Sequence, residues 1–298
     1  MATKQPYRGY LYVILSAVIY GCMPLMATYI YADGVTPMTL VFLRNALALP
    51  SLALLAFIQS KTLALPVRAL PSLSLISLLG CCVTPILLFS SYRYIASGTA
   101  TVLHFIYPAI VLLGGLIFLR KKAQLGSILS VLLCLIGICL FYVPGSDFSW
   151  TGALLALASG GTFAAYVLCL SVFRYKQVSG FLFSFYVATA GSVFTLILCL
   201  ITRQLALPQT LGGWGLCLLF ALLVTTGAVF LFQQGAFLIG GERASILSTL
   251  EPITGVFIGI LLLGDPLHPQ SIIGSVLVIA ASLLIAVFDM RTKKSEQR

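Results

Sequence analysis

Three ionisable side chains interrupt long apolar stretches of this sequence: Arg44, His104 and Glu251. Such a group inside a bilayer costs about 2.5 to 3.5 kcal/mol on insertion scales, so each needs a reason to be there. Arg44 stays charged at any relevant pH and suits a substrate carboxylate or phosphate. Its packing alternatives are snorkelling toward the outer interface and a buried ion pair with Glu251. Glu251 is the sharper group, because a carboxyl whose neighbours change between two conformations can take up and release a proton. His104 precedes Tyr107 and Pro108 by one helical turn and, with Thr101, marks a polar stripe along one face. It reads as a substrate contact, a proton relay or a hydrogen-bonded packing residue. Mid-span Tyr20, whose hydroxyl needs a partner, joins Tyr107, Phe163, Tyr166, Gln233 and Gln234 in the candidate substrate-binding set. Pro108 and Pro252 each deprive a carbonyl four residues earlier, at His104 and Ser248, of its helical N–H. Both are candidate hinges beside a wet cavity.

Enzyme chemistry has little to work with. No H-E-x-x-H, G-x-S-x-G or G-x-x-x-x-G-K-[ST] occurs, so neither a zinc hydrolase, a serine hydrolase nor an ATP-driven pump is expected within this chain. There are only two histidines, His104 and His268, and no ligand set for a metal; no cofactor is expected. The eight cysteines form no C-x-x-C pair and lie in or beside apolar runs, as small hydrophobes.

The elements that must position these groups follow from composition. Of 298 residues, 60% are apolar and 8% charged, against roughly a quarter charged in a soluble domain. That excludes a water-soluble globule and leaves lipid as the solvent. Hydropathy predicts ten spans, near residues 10–31, 36–58, 70–92, 99–119, 124–143, 150–172, 179–202, 212–236, 243–263 and 270–289. At about 1.5 Å per residue, Arg44, His104 and Glu251 fall roughly 12, 8 and 18 Å below the outer ends of their spans, one band of depth. Threading ten spans puts Lys4, Arg8, Lys61, Arg68, Arg120, Lys121, Lys122, Arg174, Lys176, Arg243 and the basic residues of 291–298 on one side. Only Arg93 and Arg203, with Asp33, Asp147 and Asp265, fall on the other. Both termini are therefore expected in the cytoplasm, and the net charge of +10 is a topology signal with no nucleic-acid partner implied.

The chain also repeats itself. Ser97 to Pro108 aligns with Gly241 to Pro252 at an offset of 144, and Gly9, Ser16, Val35 and Phe42 meet Gly152, Ser159, Val178 and Phe185 at 143. Two five-helix halves follow, and because five is odd they are inverted, the architecture of secondary transporters with sites near the midplane. Small-residue seams at Gly126, Ser130 and Cys134, and at Gly274, Val278 and Ser282, serve close packing within a protomer or between two.

Tyr20-Gly21, Arg44, Tyr107-Pro108, Leu250-Glu251-Pro252 and Leu261-Leu262-Leu263-Gly264-Asp265 together resemble the EamA family of the drug/metabolite transporter superfamily. The chain departs from the family pattern at Arg120-Lys121, where Gly-Glu is common, and at Asp265, where the second half usually has Glu. The resemblance implies ten helices in two EamA repeats, spans 1 to 4 and 6 to 9 around a central cavity, and export or exchange of small metabolites without ATP. The expected fold is thus an all-α integral membrane protein: a first repeat at 7–143, a second at 150–290 and a basic cytoplasmic tail at 291–298. The expected function is secondary-active transport of a small polar or amphipathic metabolite, proton-coupled or by exchange, across a bacterial-type inner membrane. Its partners are the substrate and membrane lipid, as a monomer or homodimer. The rival is a flippase for a polyprenyl phosphate or lipid-linked sugar, which would want several cavity cations.

Overall fold

A computed structural model describes residues 6–118, 125–140, 149–172, 178–248, 250–264, 269–270, 272–281 and 284. The tail 291–298, Asp147, Asp265, His268, Ser282 and the basic residues Lys4, Arg120, Lys121, Lys122, Arg174 and Lys176 lie outside the described residues. In chain order the helices are α1 Tyr7–Ala32, α2 Pro37–Ser60, α3 Val67–Ser91, α4 Ser97–Gly115, α5 Leu125–Cys139, α6 Trp150–Val172, α7 Gly180–Thr202, α8 Leu211–Ile239, α9 Leu250–Leu262 with Gly241–Leu247 before it, and α10 Ile272–Ala281. Seven of them, α1 to α4 and α6 to α8, are long and apolar enough to cross a membrane, and no strand occurs among the described residues.

Local sequence sets the helix ends. Thr36 caps α2, its hydroxyl accepting from the Thr39 N–H at 3.2 Å, with Pro37 at the first helical position. Thr210 caps α8 in the same way, accepting from the Gly213 N–H at 2.9 Å. The helices α2 and α7 both stop on a basic residue in the left-handed region, Lys61 at φ 56° and Arg203 at φ 53°. Outward faces carry Leu54, Phe57 and Ile58 on α2 and Ile197, Leu200 and Ile201 on α7, exposed apolar side chains that only a lipid solvent accommodates.

The internal repeat is visible in the packing. Helix α1 packs on α8 and α9, and its repeat mate α6 packs correspondingly on α3 and α4; the pairs α2–α7 and α4–α9 are each a helix against its own mate. Both α3 and α8 carry a π-helical stretch at the same repeat position, Leu78–Val83 and Ala221–Val229. Such widened turns inside a helix tend to occur at functional sites. Mates run antiparallel. The start of α2 meets the segment just after the end of α7, where the Thr36 and Thr39 hydroxyls donate to the Gln204 carbonyl at 2.8 and 2.9 Å. At the other end of α2, Gln59 Oε1 accepts from the Phe181 N–H at 3.2 Å, beside the start of α7. The two halves are therefore inverted, as the odd helix number predicts.

Loops tie the halves at both ends. At one end Asp33 Oδ2 accepts from the N–H groups of Gln209 and Thr210 at 2.9 and 3.2 Å, so a carboxylate of the first half sits at the N-terminus of α8. At the other, the Tyr186 hydroxyl donates to the Leu63 carbonyl at 2.8 Å. The small-residue seam of α10 packs within the protomer: at Gly137 of α5 an added Cβ would meet the Gly274 carbonyl and the Val278 side chain, each at 2.9 Å. The side chains at Gly126, Ser130 and Cys134 lie outside the described residues.

Candidate substrate site

Helices α4 and α9 are both broken where their prolines fall. The first piece of α4 ends at His104 and the next begins at Tyr107; in α9 the corresponding pieces end at Leu247 and begin at Leu250. The Phe105 N–H is shared between the Thr101 and Val102 carbonyls at 3.2 and 3.0 Å, and the Glu251 N–H takes the Ser248 carbonyl at 2.9 Å. One carbonyl that Pro252 leaves free is thus re-satisfied within its own turn. These breaks turn His104 and Glu251 inward from mate helices that pack on each other.

Between them lies a cavity of about 40 Å3 lined by Tyr20 and Met23 of α1, Arg44 of α2, Gly80, Thr84, Pro85, Leu88 and Phe89 of α3, His104 of α4, Phe163 of α6 and Glu251 of α9. That is room for about three waters, so a larger solute requires the helices to part. Arg44 is 3% exposed and Glu251 5%. The guanidinium carbon of Arg44 lies 5.9 Å from the centre of the Phe89 ring, and its side chain reaches the Cys81 thiol. Its buried Nε has no hydrogen-bond partner, and among the described residues no ion pair joins Arg44 to Glu251. The buried ion pair that sequence left open for these two is absent here. Both groups face the same space, and neither compensates the burial of the other.

His104 stands between aromatic faces, 5.4 Å from the centre of Tyr107 and 5.3 Å from that of Phe163, with its Nδ1 2.7 Å from the Ser159 hydroxyl oxygen. Glycine makes this approach possible: a Cβ at Gly160 would stand 2.5 Å from the His104 carbonyl oxygen. Thr84 is held from α6 as well, its hydroxyl 2.7 Å from that of Thr162.

Of the residues expected at the site, Arg44, His104, Glu251, Tyr20 and Phe163 line this cavity. Tyr107 is fully buried behind it, packed on Phe105 and Phe163 at 4.8 and 4.7 Å between ring centres. Tyr166 lies behind the wall formed by Gly80, where an added Cβ would run into its ring, and packs on Phe163 and Phe232. Gln233 is fully buried and accepts from the Ser184 hydroxyl at 2.6 Å, while Gln234 packs beside Gly180. Neither glutamine lines the cavity. Sequence reasoning missed the α3 wall. The one available signal was Thr84-Pro85, a polar residue and a helix breaker inside an apolar run.

The sequence pattern of the EamA-like transporter family matches residues 7–143 and 150–287. An uncharacterized inner membrane transporter, YicL of Salmonella typhimurium, is 26% identical over 97% of this chain and 98% of its own length. The uncharacterized transporter YwfM of Bacillus subtilis is 29% identical, with 60% of each chain covered. A biotin transporter of Escherichia coli is 25% identical over 66% of this chain and 67% of its own. One solved crystal structure superposes over 94% of this chain and 98% of its own with a TM-score of 0.65 at 15% identity, a likeness of fold.

Proposed function

The chain belongs to the EamA-like transporter family, and from that premise we propose that it is a secondary-active carrier of a small zwitterionic metabolite, an amino acid being the simplest case. In this reading ten helices span a bacterial-type inner membrane with both termini in the cytoplasm, and the halves rock about the cavity in alternating access. One observation carries it: the Arg44 guanidinium and the Glu251 carboxyl group, both nearly fully buried, face one cavity without pairing. A solute with an acid group for Arg44 and an ammonium group for Glu251 offsets both desolvation costs at once. Without it, Glu251 is free to take a proton, which couples transport to the proton gradient or to counter-substrate. The broken helices at Pro108 and Pro252 serve as the hinges. Phe163, Tyr20 and Phe89 then hold the apolar part of the solute.

The test is ligand-induced thermal stabilisation of the purified protein, followed by flux into liposomes. The panel contains amino acids, their N-acetyl and amide derivatives, biotin and a polyprenyl phosphate. A free amino acid should stabilise the protein and both derivatives should fail, since each lacks one of the two charges. Biotin has a carboxylate without an ammonium group; stabilisation by biotin alone would reduce the recognition to Arg44. Stabilisation by polyprenyl phosphate alone would replace the carrier by a flippase. Glu251→Gln should keep substrate exchange and lose proton-driven accumulation; unchanged accumulation would remove the coupling role.

A further inference from the structure

We infer that Ser159 is a positioning residue that fixes the tautomer of His104, so that the ring offers the cavity a bare nitrogen, an acceptor and never a donor. The Ser159 oxygen lies 2.7 Å from His104 Nδ1 and 2.6 Å from the Ala156 carbonyl oxygen. A carbonyl can only accept, and two oxygens this close repel unless a proton lies between them, so the single hydroxyl proton of Ser159 is on the Ala156 side. The hydroxyl oxygen is then left as an acceptor toward the ring. Nδ1 must carry the hydrogen, and Nε2 of the neutral ring keeps its lone pair. No ion pair involves His104 among the described residues, so no bonded carboxylate holds a second proton on the ring. Nε2 is not among the sealed polar atoms lacking a partner, and His104 lines the cavity. The bare nitrogen therefore opens on the same space as Arg44 and Glu251.

The repeat supplies an internal control. Ser16, the mate of Ser159, donates to the Ala228 carbonyl at 2.8 Å, and Ser248, the mate of His104, donates to the Ala244 carbonyl at 3.0 Å. Each of those hydroxyl protons goes to a backbone carbonyl, and neither hydroxyl meets a ring nitrogen. Only one of the two related corners holds a ring nitrogen oriented by a serine. The consequence for selection rests on the carrier reading: at the His104 wall a solute must bring a donor, an ammonium or N–H, while its acid group belongs at Arg44. A carboxylate turned the other way would meet two acceptors, Nε2 and Glu251.

His104 and His268 are the only histidines, so His268→Gln leaves a single reporter. Histidine-labelled nitrogen NMR of that protein in lipid nanodiscs distinguishes protonated from bare ring nitrogens at neutral pH. The expected signature is a protonated Nδ1 and a bare Nε2, lost to a tautomer mixture in Ser159→Ala. In Ser159→Cys the shape is kept but the thiol accepts weakly, so it should resemble Ser159→Ala; packing alone would leave Ser159→Cys like the parent. A protonated Nε2 in the parent, or an unchanged Nδ1–H in Ser159→Ala, overturns the assignment. These spectra need no substrate, so failure to find a transported solute would sink the carrier reading and leave the tautomer intact. For an amino acid that stabilises the parent, binding should weaken about tenfold in Ser159→Ala; equal affinity would overturn the role in selection.

Discussion

Replacing Gly160 by alanine, with Gly161→Ala as its matched control, asks directly whether the approach of α6 to α4 holds the site together. Both glycines lie in the same helix, and alanine gains about 1 kcal/mol of helix propensity at either position. The surroundings differ. At Gly161 an added Cβ meets nothing within 4 Å, whereas at Gly160 it stands 2.5 Å from the His104 carbonyl oxygen and 2.7 Å from the Ile106 side chain. A carbon and a carbonyl oxygen need more than about 3.2 Å, so α6 must retreat by several tenths of an ångström. The obstacle is backbone and cannot rotate away. Overpacking of this kind costs about 1 to 3 kcal/mol, which sets the expected gap between the two variants. Gly161→Ala should be neutral or slightly stabilising, and Gly160→Ala should be destabilised by up to about 2 kcal/mol net of propensity. Thermal unfolding of purified protein in one detergent, followed by loss of the monodisperse peak, measures both. Equal midpoints would mean that the α4–α6 contact yields freely, and the positioning of His104 by Ser159 would then lose its structural basis.

Other substitutions test other parts of the fold. Asp33→Ala should weaken the tie between α1 and the start of α8 by about 1 to 2 kcal/mol, with Asn keeping part of it, read as the same unfolding midpoint. An unchanged midpoint in Asp33→Ala would show that the loop contact is not maintained in solution. Asn45 Nδ2 donates to the Val41 and Cys81 carbonyls, both at 3.0 Å, and Asn45→Ala strands the Cys81 carbonyl in the π-helical turn of α3. A loss of about 1 to 3 kcal/mol is expected, and no loss would argue against this buried link from α2 to α3. Arg44→Lys keeps the charge but loses the planar fork, so amino-acid binding should weaken at least tenfold in the stabilisation assay; full retention would show that Arg44 does not grip a carboxylate in two-point fashion.

The membrane class, the seven long helices and the repeat were legible because lipid imposes a crude rule, an apolar run of fixed length, and because Pro108 and Pro252 occupy matching places. Arg44, His104 and Glu251 stood out for the same reason, since each is conspicuous against an apolar background. What stayed hidden depends on geometry across helices. The α3 wall of the cavity is made of Gly80, Leu88 and Phe89, residues of the same kind as the packing around them. That Arg44 and Glu251 do not pair, and that Gln233 stays out of the cavity lining, depend on side-chain packing between helices, which a periodicity argument does not reach. Ser159 entered only as the repeat mate of Ser16, and its link to His104 shows only once the two helices are placed together.

The packing of α1 on α8 and α9, echoed by α6 on α3 and α4, has an energetic meaning. In an inverted repeat, exchanging the shapes of the two halves turns a cavity open to one side into one open to the other, built from the same backbone contacts. Identical halves would therefore rest equally in both. The bias comes from positions where mates differ, and the chemistry of this site lies at those positions: Arg44 has Val187 as its mate, His104 has Ser248, and Glu251 has Tyr107. If the halves alternate as proposed, one substitution there would be enough to shift which side the empty protein faces, because about 1.4 kcal/mol is a tenfold change in population. In the proposed carrier, the residues that face the solute would thus also be the weights on the balance.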